Sequence, residues 1–79
     1  MKYLNHIKGE EFTDITTKGF KTLIGKRIAY IRKQDIDKSG RGYYFPRFGT
    51  VDAVQNRKVD IDGDGFDTSI KNFVEVVIL

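Results

Sequence analysis

The 79-residue sequence contains no cysteine, no tryptophan, a single proline (Pro46) and a single histidine (His6). Without cysteine there is no disulfide framework and no thiolate zinc site, as expected of a chain in a reducing compartment. One histidine does not assemble the usual zinc ligand set. No stretch approaches the roughly 20 apolar residues that span a bilayer, and no apolar leader follows Met1 and Lys2. No Walker loop, H-E-x-x-H run or Ser, His and Asp constellation occurs. A chain this short buries only roughly 60% of the surface that its unfolded form exposes, which leaves no room for a deep substrate cavity. These absences predict a cytoplasmic, cofactor-free module that acts through its surface and is not an enzyme.

Charge is plentiful and unevenly placed. The net charge is +3, yet residues 1–58 carry 13 of the 14 Lys and Arg but only 6 of the 11 Asp and Glu. The remaining 21 residues are therefore acidic. Segregation of this kind predicts one basic and one acidic face, with the basic one attractive to phosphate. The competing reading is simple solubility, since 32% of the residues are charged.

Along the chain, residues 1–23 form an N-terminal arm and residues 24–79 a region of short β-rich runs. In the arm, Tyr3, Asn5 and Ile7 alternate with Leu4 and His6 as in a short strand, and Gly9 opens a turn over Lys8 to Glu11. Thr16 or Thr17 is placed to cap a brief helix through Leu23. From Gly25 onward, Gly, Asn, Asp and Pro punctuate the runs in the manner of small barrels. Lys26 to Arg32 alternates, with Ile28 and Tyr30 on one face and Ala29 and Ile31 on the other. A polar loop over Gln34 to Gly42 follows, then Tyr43 to Phe45, an interruption at Pro46 and a strand over Arg47 to Val54. Gln55 and Asn56 read as a hairpin turn. Val59 and Ile61 then point inward while Lys58 and Asp60 face water. Gly63 to Gly65 turns the chain, Phe66 begins a short strand, and Ser69 to Asn72 reads as one helical turn before the apolar run Phe73 to Leu79.

Three of these stretches carry a resemblance. Gly25-Lys26-Arg27-Ile28, Gly49-Thr50-Val51 and Arg57 to Ile61 ending at Gly63 resemble half of a KOW-type barrel. Ser69 to Val76 is similar to the close of SH3 domains, where a one-turn helix leads into the last strand. The resemblance covers about 50 residues and implies an all-β, SH3-like barrel of about five strands that binds RNA, DNA or other proteins. The loop at residues 34–46 is longer than the KOW pattern has, and the missing tryptophan departs from proline-rich peptide binders. An OB-type, cold-shock-like barrel is the alternative, because Arg41, Gly42 and the following aromatics are similar to that family's binding strand.

Arg41-Gly42-Tyr43-Tyr44-Phe45-Pro46-Arg47-Phe48 interleaves rings with guanidinium groups, the pairing that stacks bases while holding phosphates. It overlaps the RNA-recognition-motif signature, but Tyr44 and Pro46 break that pattern and the two helices of that fold are missing. Tyr43, Phe45 and Phe48 also suit packing in a small barrel, although alternation prevents all of them from being buried. The expected nucleic-acid-binding set is Arg27, Arg32, Lys33, Arg41, Tyr43, Tyr44, Arg47 and Phe48. The rival partner is a host or other protein, as for a small bacterial or phage-borne regulator or inhibitor. The C-terminal strand, read as an uncovered edge, would support a homodimer.

Asp60 to Gly65 matches the opening of a calcium loop, but Lys71 stands at position 12 where a bidentate Glu is needed. Asp35 to Gly40 repeats the echo, with Pro46 at that position. Both runs are therefore read as acidic, glycine-rich turns, and no metal ligand is assigned.

Overall fold

The computed structural model describes residues 2–36 and 44–79. Six antiparallel strands form one sheet in the order β1-β6-β2-β3-β4-β5. They are β1 (Glu10–Phe12), β2 (Arg27–Arg32), β3 (Arg47–Gln55), β4 (Lys58–Ile61), β5 (Thr68–Ser69) and β6 (Phe73–Ile78). Among the described residues, a single short α-helix, α1 (Thr17–Lys21), precedes β2. A 3-10 turn at Ile70–Asn72 leads into β6. Among the described residues, no helix is long and apolar enough to cross a membrane.

The meander β2-β3-β4-β5 with return of β6 to β2 is the strand order of a small SH3-like barrel, as the resemblance implies. The OB-type alternative would set the last strand beside the third strand of the barrel instead. Strand β3 bends to serve both halves. Its register with β4 shifts between Val51 and Ala53, so Asp52 is an extra residue that kinks the strand toward β4. Gly49 permits the close approach of the end of β4, since a Cβ there would strike Ile61 and Asp62.

Alternation along β2 divides the apolar residues as expected. Ile28 and Tyr30 enter an inner cluster with Phe20, Leu23, Val51, Val59, Ile61, Ile70, Phe73 and Val76. Ala29 and Ile31 instead face outward, into a second cluster with Leu4 and Val77. Helix α1 starts where Thr16 accepts a hydrogen bond from the Gly19 amide (3.0 Å). It delivers Phe20 to the inner cluster, where the ring meets Phe73 at 4.6 Å between centroids. Gly19 is required because Asp14 approaches its backbone more closely than any Cβ allows.

The arm departs from the sequence expectation. Residues 3–7 form bends and a turn instead of a strand, and the strand is Glu10–Phe12, where a turn was expected. β1 pairs Glu10 with Ile78 and Phe12 with Val76. The edge of β6 that the sequence left uncovered is therefore occupied on one side by β1 and on the other by β2. The pairing with β1 covers Val76 to Ile78, so the apolar end of β6 is not the open edge that the sequence pattern implies. Residues 2–7 lie on the outer sheet face, held by one carboxylate. Glu75 accepts hydrogen bonds from the backbone N–H groups of Lys2 (2.7 Å), Tyr3 (3.0 Å) and Leu4 (2.9 Å). Burial pushes the Glu75 carboxyl up, but these donors outweigh it and hold the group below its ordinary range.

Two smaller differences concern turns. The β3–β4 hairpin turns on Asn56 and Arg57 (φ 52° and 61°), one residue later than expected. Asp60 does not simply face water: its Oδ1 is buried and has no hydrogen-bond partner among the described residues.

Candidate functional site

The segment that interleaves rings and cations enters β3 at the end of the barrel where β2 finishes. Pro46 sits just before β3, so its missing N–H falls outside the ladder. Tyr44 makes an isolated bridge with Ile36, and the Phe45 amide donates to the Asp35 carbonyl (3.0 Å). These two contacts fix where the described part of the loop rejoins the strand. Arg41 and Tyr43 lie outside the described residues.

Arg32 requires a correction. Its side chain is only 7% exposed, and its guanidinium is clamped by Asp35 through Nε (2.9 Å) and Nη2 (3.0 Å). Nη1 reaches Thr68 Oγ1 at 3.4 Å and Asp67 at 3.6 Å. An arginine so enclosed stabilises the barrel end and does not present a charge to a phosphate. The alternating pattern places Arg32 on the inner face with Tyr30, and the i, i+3 spacing to Asp35 allows a bidentate pair. That spacing was the available signal.

Asp35 is itself 5% exposed and accepts from Arg47 Nε (3.2 Å) as well as from Arg32. Burial raises its carboxyl, but the Arg32 and Arg47 guanidinium groups and the Arg32 amide pull it below the usual carboxylate range. Arg32 is correspondingly held above the ordinary arginine value, chiefly by the Asp35 hydrogen bond. Arg47 remains half-exposed while tethered by Nε, so its position is set without loss of solvent access.

Around this charge pair lie the exposed groups. Phe45 is 67% exposed and Phe48 47% exposed. Phe48 pairs across the ladder with Ala29 and so projects from the outer face. Arg27, opposite Thr50, lies diagonally beside it on that same face and is exposed. Lys33 is exposed on the 3-10 turn that follows β2. Tyr44, by contrast, is half-buried against Tyr3 (5.4 Å, edge-on) and close to His6 (6.2 Å), and packs on the outer cluster. Phe48 and Arg27 thus share the outer face, whereas Arg47, opposite Tyr30, projects from the other face toward Asp35, and Arg32 and Tyr44 are taken up in packing. Phe45 is the exposed ring that the expected set omitted. Its position directly before Pro46, outside any ladder, is what frees it.

The acidic turn between β4 and β5 spends its carboxylates on the turn itself and on neighbouring elements. Asp64 Oδ1 accepts from the Phe66 amide (3.1 Å), and Asp62 Oδ1 accepts from the Thr50 amide (2.9 Å). Asp62 and Phe66 both have positive φ, as do Gly63 and Gly65. The turn therefore braces β3 at Thr50, whose backbone N–H and C=O both meet Asp62.

Comparison with protein-family models, with curated proteins and with solved structures gives no match.

Proposed function

We propose that the protein is a non-enzymatic binding module that holds single-stranded RNA or DNA against the surface at the start of β3. The observation that carries this reading is the pair of uncovered rings, Phe45 and Phe48, that flank the half-exposed Arg47 in sequence where the chain enters β3, in a barrel that otherwise buries Phe20 and Phe73. Exposed rings accept bases by stacking irrespective of sequence, at about 1–3 kcal/mol per base. Arg47, Lys33 and Arg27 supply the cations that track phosphates. The KOW-like run from Gly25 to Gly63 accords with such a role, which implies a cytoplasmic location.

Fluorescence anisotropy with labelled oligo-U and oligo-dT tests it. Replacing both Phe45 and Phe48 with Ala should weaken binding at least tenfold while leaving the folded state intact, and wild-type affinity should fall steeply with salt. Equal affinity of variant and wild type would sink the reading.

A protein partner is the second reading, favoured by the neutralisation of Arg32 and part of Arg47 by Asp35, which leaves the exposed rings as the dominant feature. It would suit a small bacterial or phage regulator. Capture of a partner that survives nuclease treatment and tolerates salt would select it.

A further inference from the structure

At the opposite end of β3 lies a cleft of about 470 Å³ lined by Ile15, Thr16, Thr17, Asn56, Arg57, Ser69, Ile70 and Lys71. Its charged walls, Arg57 on the hairpin and Lys71 on the 3-10 turn, are both basic, and no carboxylate lines it. Neither cation is in an ion pair among the described residues. Asn56, Thr17 and Ser69 add polar groups from three separate elements, and Ile15 and Ile70 form an apolar floor. Thr16 contributes shape only, because its hydroxyl donates to Asp14 and accepts from Gly19.

The second observation is backbone strain. Asn56 and Arg57 occupy the two central positions of a hairpin turn with φ of 52° and 61°. Glycine is strongly favoured at the second of these, since a side chain there is strained and the Asn-Gly pair fits without penalty. An arginine in this place is an outlier of the kind that collects at ligand clamps. It is also locked: the Ile70 amide donates to the Arg57 carbonyl (2.9 Å), fixing the hairpin to the wall that carries Lys71.

We infer that the cleft binds a phosphomonoester with a small organic body, its dianionic head between Arg57 and Lys71 and its body on Ile15 and Ile70. Two cations with convergent amide and hydroxyl groups suit an anion with several acceptor oxygens. The volume exceeds that of a bare phosphate and matches the lower range of small-ligand sites. This site does not depend on the binding surface at Phe45 and Phe48.

The test uses the full chain, with amide chemical shifts followed during titration with adenosine 5′-monophosphate, adenosine and inorganic phosphate at constant ionic strength. The monophosphate should move Asn56, Arg57, Ser69 and Ile70, with inorganic phosphate moving them more weakly and adenosine not at all. Arg57→Gly should melt at the same or a higher temperature yet bind the monophosphate roughly tenfold or more weakly, the scale of one charge-assisted contact. Lys71→Gln should weaken it as well. No shift with the monophosphate at millimolar concentration, equal shifts with adenosine, inorganic phosphate binding as tightly, or undiminished affinity in Arg57→Gly would each overturn the inference.

Discussion

The two faces of the sheet bury comparable chemistry by different means. On the inner face, residues from α1, β2, β3, β4, β6 and the 3-10 turn interlock, so that no single contact defines the cluster. On the outer face, Ala29, Ile31 and Val77 are covered by Leu4 in a segment without regular structure, whose backbone is tied to Glu75. The first arrangement draws its contacts from the whole chain; the second depends on Leu4 and the rings beside it, in a segment whose backbone is tied by one carboxylate. Local opening should therefore begin outside, with the barrel intact beneath.

The comparison predicts a graded response to substitution. Phe20→Ala, which empties the middle of the inner cluster, should lower global stability by about 3–5 kcal/mol in urea unfolding. A loss below about 1 kcal/mol would mean that α1 is not part of the cooperative unit. Asp35→Ala comes next, because it leaves the buried Arg32 guanidinium without its main partner; about 3 kcal/mol is expected in the same measurement. Arg32→Met with Asp35→Leu should recover most of that loss, and failure to do so would show that the pair orders the loop as well as balancing charge.

Glu75→Gln should have the smallest effect, about 1–2 kcal/mol, and a local one. Amide exchange should accelerate at Tyr3, Leu4 and Ile7 while amides of β3 and β4 stay protected. The same clamp is acid-sensitive. With its folded pKa below the ordinary 4.5, Glu75 contributes its full stabilisation above that value and loses it as pH falls through the folded pKa. The arm should thus release in acid before the barrel unfolds, and Glu75→Gln should abolish that step. Uniform exchange across both faces would erase the distinction between them.

Much of the barrel was legible because its signals are local. Alternation at Ile28 to Ile31, the turn residues near Asn56 and the helical turn before Phe73 each depend on neighbours in sequence. The arm was not, since Glu10 to Phe12 lacks alternation of apolar residues and becomes a strand only because β6 offers a ladder. Arg32 was misjudged for a related reason: a cation in a strand reads as solvent-facing unless its carboxylate partner is identified. Of the expected set, Arg27, Lys33, Arg47 and Phe48 are exposed, whereas Tyr44 is packed against Tyr3, a partner distant in sequence.

The position of β6 also bears on how the chain reaches this state. Both β1 and β2 hydrogen-bond to it, with Glu10 meeting Ile78 and Ile28 meeting the same residue from the other side. During synthesis the meander from β2 to β5 emerges first and can pair locally, while β1 must wait for the last strand. Loop closure over such separations grows only slowly with length, by about 0.6 kcal/mol per doubling. The penalty is therefore chiefly one of time: until residues 73–78 have emerged, β2 shows an unpaired edge, and the nascent barrel is most open to misassociation at that stage.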